Sequence, residues 1–182
     1  MLYVTLPEVE AYDEEKQEFI YFKEQKICLE NSLVSISKWE SKWHKPFLSK
    51  SEPLTPEQKI DYIKCMTLTQ NVNFEHYNYM PAYIIKQIDD YCEDPMTATT
   101  ITDLGSNKKQ INQTITSELI YYWMIVNNIP FETQKWHINR LLTLIRICVI
   151  KNSPPKKMGK AEQMEMQRRL NAERRAKLHS KG

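Results

Sequence analysis

The chain has 182 residues, a formal net charge of +2 and three glycines. So few glycines exclude the Gly-rich loops that bind phosphates and dinucleotides. No apolar segment of the kind found in a signal peptide occurs near the N-terminus, and Arg146 interrupts the longest apolar run before it reaches the ~18 residues of a membrane-spanning helix. We therefore expect a soluble, cytoplasmic protein with one folded body and an extension.

The N-terminus is predicted to form a small antiparallel β element. Leu2–Leu6 is rich in β-forming residues and is followed by a proline. Phe19–Phe22 and Gln25–Leu29 have the same character, and they form either one longer strand or two short ones. The acidic stretch Glu8–Glu18 is the predicted connection.

After the β element, apolar residues recur at the spacing of a helix. The first predicted helix is Leu33–Trp43. A second helix begins after Thr55, because Pro56 and Gln58 complete a capping-box signature, and we expect it to end near residues 70–71. The next predicted helices are Phe74–Tyr79 and a segment that starts at Pro81 and ends before Pro95.

Two strongly apolar segments are predicted to form the centre of the core. Thr116–Asn128 is apolar nearly all round, and after Ile129–Pro130 the longest helix runs from Phe131 to about Asn152. Long apolar faces joined by a short connection predict an antiparallel αα-hairpin packed on the first helix. In the preceding region, Thr97–Thr102 is expected to be extended.

The charge of the chain changes sign after Asn152. Residues 153–182 carry nine Lys/Arg and three Glu, a net of +6, so residues 1–152 have a net charge of −4. Ala161–Leu178 consists of strong helix formers with a ragged apolar stripe, which indicates a marginal helix or a disordered segment. The predicted fold is therefore α+β and predominantly α-helical. Its predicted parts are a body at 1–152, with the β element at about 2–29 and a helical domain at about 31–152, and a flexible basic C-terminal helix within 153–182.

The sequence contains no recognisable catalytic or metal-binding motif. Its four histidines show neither HxxxH nor HExxH spacing, and its four cysteines include no CxxC pair. Cys65 or Cys148 could meet His137 in the fold as a nucleophile and its base, but burial as reduced, inert thiols is the favoured interpretation. We predict that the protein is not an enzyme and has no cofactor.

Two aromatic clusters allow a structural or a binding interpretation. Trp39 and Trp43 lie on one face of the first helix, where they either pack in the core or form a platform for a ligand. Trp136, next to His137 and near Arg140, allows the same alternatives. Packing is the favoured interpretation of both clusters, with Arg140 as an exposed basic edge.

The basic tail allows four interpretations. Its lysines and arginines are suited to binding the phosphates of nucleic acid. The tail also contains glutamates, however, and it has no aromatic residue for stacking on bases. Membrane-surface binding is disfavoured because the apolar face lacks Phe and Trp. Ordering on a protein partner fits the composition better. A solvated extension without a specific role is the remaining alternative.

Five segments of the chain carry a resemblance to a group of known proteins, and they are Leu33–Leu48, Asp61–Asn71, Ile115–Ile125, Asn128–Arg146 and Pro154–Met158. Through these segments most of the chain resembles tail assembly chaperones of long-tailed bacteriophages. The resemblance implies a non-enzymatic late protein of the host cytoplasm that keeps the tape measure protein soluble while tail tube subunits assemble around it. In this family a longer, frameshifted product is common.

The resemblance and the aromatic content together suggest candidate partner-binding residues. A chaperone for long apolar helices needs aromatic and Met-rich grooves, which Tyr77, Tyr79 and Met80 could help to form. The candidates in the body are Trp39, Trp43, Tyr121, Tyr122, Trp123, Met124, Trp136 and Arg140, and those in the tail are Lys156, Lys157, Arg168, Arg169, Arg174 and Arg175.

The expected partners are the tape measure protein and, in addition, the tail tube protein, and self-association is also considered. The alternative function is a structural or connector protein of the virion whose basic tail contacts DNA or a neighbouring subunit. Salt sensitivity distinguishes the two functions, because contacts to phosphates weaken as salt rises.

Overall fold

The computed structural model describes residues 1–13, 17–49, 53–100, 114–152 and 160–178. It is predominantly helical with a small antiparallel β element at the N-terminus, so the predicted α+β class is confirmed. The chain divides into two compact units, Met1–Val149 and Ile150–Gly182. No helix among the described residues is long and apolar enough to cross a membrane.

The β element consists of two separate antiparallel pairs. Its strands are β1 (Leu2–Leu6), β2 (Val9–Asp13), β3 (Glu18–Phe22) and β4 (Gln25–Leu29). Strand β1 pairs with β4, and β2 pairs with β3. The segment from Phe19 to Leu29 therefore forms two strands, which was one of the two predicted alternatives.

The prediction of Glu8–Glu18 as a simple connection was wrong, because this stretch contains β2. Val9 and Ala11 lie opposite Phe22 and Ile20 of β3 and are partly buried, whereas Glu10 and Tyr12, which alternate with them, are exposed. This alternation is the period of a half-buried strand. The acidic residues on the exposed face and at the ends of the stretch concealed it in the sequence.

The helices of the body are α1 (Leu33–Trp43), α2 (Pro56–Met66), α3 (Ala82–Glu93), α4 (Ser117–Val126) and α5 (Ile138–Asn152). Phe74–Tyr79 and Phe131–Lys135 form short 3₁₀ helices. The predicted starts of α1 and α2 are confirmed by their capping boxes, in which the Ser32 and Thr55 side chains accept hydrogen bonds from the backbone N–H groups of Ser35 and Gln58.

The predicted end of α2 near residues 70–71 was wrong, because the helix ends at Met66. The following residues join the edge of β4 instead. The Leu68 N–H donates to the Cys28 carbonyl oxygen at 2.8 Å, and the Cys28 N–H donates to Thr69 Oγ1, also at 2.8 Å. These long-range hydrogen bonds replace the helical ones.

The predicted start of the last body helix at Phe131 was also wrong, because α5 begins at Ile138. After the second 3₁₀ helix, His137 forms an isolated β-bridge with Ser32, and the Ile138 N–H donates to the Asn31 carbonyl oxygen at 2.7 Å. Residues 97–100 form no strand, and 101–113, where the predicted extended stretch continues, lie outside the described residues.

The core of the first unit surrounds α1. Leu33, Ile36 and Trp39 are its fully buried apolar residues, and α1 contacts α2, α4 and the second 3₁₀ helix. The predicted packing of the first apolar segment against α1 is thus confirmed for α4. The predicted antiparallel hairpin of α4 with α5 is not confirmed, because these two helices are not among the closely contacting pairs of elements. Most of the other buried apolar residues of the core come from β1, β4 and α2 to α5, and they include Leu6, Ile27, Leu29, Ile63, Met66, Ile84, Ile88, Ile120, Met124 and Leu141.

Candidate functional site

Helix α4 has a buried face that is held firmly against α1. Ser117, Ile120 and Met124 are buried, and the Thr116 side chain caps the first turn. The Ser117 N–H donates to Glu40 Oε2 of α1 at 2.7 Å, which satisfies a donor that has no partner within the helix. The negative carboxylate at this end also interacts favourably with the helix dipole.

The C-terminal end of α4 is equally well defined. Asn128 has a left-handed conformation with φ of 52°, and its N–H donates to the Ile125 carbonyl oxygen. The N–H of the next residue, Ile129, donates to the Met124 carbonyl oxygen at 2.8 Å. This pair of bonds is a Schellman motif, with asparagine where glycine is more usual, and Ile129 is buried in the core. The orientation of α4 is therefore fixed at both ends.

The opposite face of α4 is apolar and exposed. Tyr122, Ile125 and Val126 have exposed fractions of 58%, 59% and 58%. Their spacing of three and four residues places them next to one another along one side of the helix. We call these three residues the α4 surface. Three large apolar side chains exposed together on a rigid helix are typical of a binding surface.

Two further aromatic residues lie beside the α4 surface. Tyr121 is partly buried, and its hydroxyl donates to Gln134 Oε1 at 2.9 Å. The rings of Tyr121 and Phe131 lie 6.3 Å apart between centroids, and half of Phe131 is exposed. Burial raises the pKa of the Tyr121 hydroxyl, which therefore stays protonated and able to donate. Phe131 thus adds apolar surface next to the helix.

Two of the candidate partner-binding residues belong to the core instead. Trp39 is 1% exposed, and its Nε1–H donates to the Gln58 carbonyl oxygen at 3.0 Å. Met124 is fully buried. Neither side chain reaches the surface of the folded chain, so the packing interpretation applies to both. Trp123 is partly buried, at the margin of the α4 surface.

Trp43 contributes to a polar contact between α1 and α2. Its Nε1–H donates to Asp61 Oδ2 at 2.8 Å, while Lys42 Nζ lies 2.5 Å from Asp61 Oδ1. Partial burial raises the pKa of the Asp61 carboxyl. The hydrogen bonds from Lys42 and Trp43 outweigh this effect, so the pKa of Asp61 is lowered overall. The contacts of the partly buried Trp43 are thus those of a packing residue.

Trp136 and Arg140 form a cation–π pair at the start of α5. The Arg140 guanidinium carbon lies 4.2 Å from the centroid of the Trp136 ring. Trp136 is partly buried and Arg140 is exposed, as the interpretation of packing with one basic edge predicted. Of the other aromatic candidates, Tyr77 is buried and its hydroxyl lies 2.8 Å from Thr67 Oγ1, whereas Tyr79 is exposed.

His137 is part of a buried polar cluster and not of a nucleophile–base pair. Its Nε2 lies 3.1 Å from the Tyr91 carbonyl oxygen and 3.4 Å from Asn31 Nδ2. Its Nδ1 accepts a hydrogen bond from the Asn139 N–H at 3.3 Å. Burial lowers the pKa of His137. These contacts describe a neutral imidazole with a structural role.

A cleft of about 1090 Å³ was not predicted from the sequence. It is lined by residues that are distant in the chain, including Trp39, Phe47, Tyr62, Ile88 and Ile138. The ion pair between Lys59 Nζ and Asp89 Oδ2, at 2.6 Å, lies at the cleft. Cys92 also lines it, and burial raises the pKa of this thiol to about 12. A thiol that stays protonated at neutral pH is a poor nucleophile.

The second unit contains α6 (Lys160–Leu178), a helix in the segment where a marginal helix was predicted. Arg168, Arg169, Arg174 and Arg175 are exposed. Arg169 Nε lies 3.8 Å from the carboxylate of Glu173. The candidates Lys156 and Lys157 lie outside the described residues.

Within the described parts of the chain, no group of three or more His, Cys, Asp or Glu side chains could hold a metal ion. Comparisons with models of protein families, with curated proteins and with solved structures found no match for this chain. The α4 surface is therefore a candidate binding site on the grounds of its geometry.

Proposed function

We propose that the protein is a non-enzymatic chaperone of phage tail assembly, which binds apolar helical segments of a tape measure protein in the host cytoplasm. The observation that carries the proposal is the α4 surface. Tyr122, Ile125 and Val126 are more than half exposed on a helix whose ends are both fixed. The resemblance of the sequence to tail assembly chaperones supplies the identity of the partner.

The spacing of the α4 surface suits recognition of another helix. Helices dock through apolar side chains separated by three, four and seven residues, which form a ridge that fits a groove on the partner. Tyr122, Ile125 and Val126 form a ridge of this kind, and the adjacent Phe131 extends it. A tape measure protein is a long apolar helical chain, so it offers many segments that fit.

The expected affinity of one such contact is modest. Burial of the exposed parts of the three side chains contributes on the order of 4 kcal/mol, from about 1.5–3 kcal/mol for each fully buried side chain. Association itself costs at least about 4 kcal/mol in lost translational and rotational freedom, so a single contact of this size binds only weakly. Weak individual contacts along a long partner hold it in solution through their number, and they also permit release during assembly.

Co-expression with the tape measure protein tests the proposal. We expect the wild-type chain to raise the soluble yield of that protein, and a variant with Tyr122→Ser, Ile125→Ser and Val126→Ser to lose most of the effect. The matched control is Tyr83→Ser, because Tyr83 on α3 is also an exposed tyrosine. Thermal melts of each variant verify that the body stays folded. Equal soluble yields with and without the chain would overturn the proposal.

The exposed arginines of α6 support a second candidate, a virion connector that contacts DNA. The two functions differ in their dependence on salt. Burial of apolar surface persists as salt rises, whereas each phosphate contact is lost with its released counterion. Tight binding to duplex DNA at low salt, together with an unchanged solubility of the tape measure protein, would favour the connector.

A further inference from the structure

The hairpin of β2 and β3 has one face toward the body and one toward solvent. Phe22 on the inner face is buried, and its ring stacks on His76 at 5.0 Å between centroids. His76 Nε2 in turn lies 2.8 Å from the Pro7 carbonyl oxygen. These contacts attach the hairpin to the first 3₁₀ helix.

The outer face is aromatic and acidic. It consists of the cross-strand pairs Tyr12–Phe19 and Glu10–Tyr21, which we call the ribbon surface. Tyr12, Phe19 and Tyr21 are exposed by 51%, 72% and 57%, and the rings of Tyr12 and Phe19 meet edge to face at 5.1 Å. The Tyr21 hydroxyl donates to Glu8 Oε2 at 2.8 Å, which holds a second carboxylate beside this surface.

The negative charge of the body is concentrated in this part of the chain. Residues 8–24 contain seven acidic and two basic residues, a net of −5. Because residues 1–152 have a net charge of −4, the rest of the body has a net charge of +1. The chain thus carries its negative charge in the hairpin region and its positive charge, a net of +6 in residues 153–182, at the other end.

We propose that the ribbon surface binds helix α6 of a second copy of this chain. The charge complementarity between the two segments carries the inference. The exposed guanidinium groups of α6 provide cations that stack on tyrosine and phenylalanine rings and pair with carboxylates. Glu10 and Glu8 lie next to the aromatic rings in the positions that such pairs require.

A basic helix fits the ribbon surface better than an apolar one. An apolar segment would bury the carboxylates of Glu8 and Glu10 without a positive charge to neutralise them, which is costly. An arginine side chain covers aromatic rings with its apolar stem and guanidinium plane, and it neutralises the adjacent carboxylates at the same time. Arg168, Arg169, Arg174 and Arg175 of α6 are all exposed and supply this chemistry.

Sedimentation velocity of the full chain tests the inference. In about 0.1 M NaCl we expect the average mass to rise with protein concentration. In about 1 M NaCl the association should weaken by at least roughly tenfold, because charges are then screened beyond about 3 Å. Arg168→Glu with Arg169→Glu is expected to abolish the association, and so is Glu8→Lys with Glu10→Lys. The matched control, Asp90→Lys with Glu132→Lys, reverses two exposed acids outside the hairpin and is expected to associate like the wild type.

Mixing the two charge-reversed variants distinguishes binding between copies from binding within one chain. Each variant alone is expected to be monomeric, and the mixture is expected to associate, because the lysines of one hairpin then meet the glutamates of the other tail. If the hairpin variant does not fold, the α6 variant still tests the inference, because it changes exposed residues only. Its average mass in sedimentation then shows whether association has been lost. A monomeric wild-type chain in low salt, or an association that survives both reversals, would overturn the inference.

Discussion

Helices α1 and α4 lie against each other in the core, and the more polar of the two is the better buried. Helix α1 contains serines, lysines and a glutamate, yet five of its residues are buried. Helix α4 contains eight apolar residues in Ser117–Val126, but its only buried residues are Ser117, Ile120 and Met124. The apolar content of a helix therefore does not determine how much of it the fold covers.

The difference arises because the buried polar groups of α1 have hydrogen-bond partners. Ser35 Oγ donates to the Glu30 carbonyl oxygen at 3.0 Å, and Trp39 donates to the backbone of α2. Glu40 accepts hydrogen bonds from the backbone N–H groups of Phe47 and Ser117. Once α1 occupies the centre, one face of α4 is sufficient to close the core. The remaining apolar face of α4 is surplus to folding, and we infer that it serves binding.

The largest effect on the free energy of unfolding is expected from a change on the buried face of α1. Ile36→Ala is expected to lower the free energy of unfolding by about 2–5 kcal/mol, because it leaves a cavity at a fully buried position. Urea denaturation followed by circular dichroism measures this loss. A loss near zero would show that α1 is not at the centre of the core.

The next largest effect is expected at the contact between Glu40 and Ser117, which joins α1 to α4. Glu40→Gln replaces one of two buried carboxylate oxygens with an amide NH₂, which then faces a backbone N–H donor. We expect a loss of about 1–3 kcal/mol in the free energy of unfolding. Glu132→Gln, at an exposed glutamate, is the control and should unfold at the same urea concentration as the wild type. Equal stability of the two variants would contradict the assigned role of Glu40.

A smaller effect concerns His137 and pH. Burial lowers its pKa below the ordinary value of 6.5, so the unfolded chain binds more protons than the folded chain in the range below pH 6.5. The stability from this group is fully present above pH 6.5 and is lost as the pH falls toward the lowered pKa. We expect His137→Gln to flatten the decline in the urea midpoint between neutral and mildly acidic pH. A decline of the same steepness in the His137→Gln variant and the wild type would contradict this role of His137.

The smallest expected effect on stability is that of Ile125→Ala. This is the same substitution as Ile36→Ala on a neighbouring helix, but its side chain is 59% exposed, so we expect a change within about 0.5 kcal/mol. Urea denaturation of both variants under one condition makes the comparison direct. Similar losses at both positions would mean that α4 is covered in solution.

The features that were predicted correctly from the sequence are local ones. The start of α2 could be predicted because the capping box at Thr55 joins two residues only three positions apart. Such a pair is recognisable in a short stretch of sequence. The wrong boundaries come from long-range contacts. Helix α2 ends where Leu68 reaches β4, and α5 starts only after His137 has paired with Ser32.

The candidate site was predictable only in part, for the same reason. The apolar run from Leu119 to Val126 identifies α4 as important, but a helix without polar contrast gives no indication of which face is buried. Tyr122 was a candidate, whereas Ile125 and Val126 were not. Trp39 and Met124 were candidates although they are core residues. The position of α1, which depends on the whole fold, decides between these faces.

Photo-crosslinking tests the central claim, that the α4 surface contacts a tape measure protein, most directly. A photoreactive phenylalanine analogue replaces either Tyr122 on α4 or Tyr83 on α3, which are exposed by 58% and 65%. Each variant is co-expressed with the tape measure protein and irradiated. We predict a crosslinked product from position 122 and none above background from position 83. Crosslinks of equal yield from both positions, or from position 83 alone, would contradict the account.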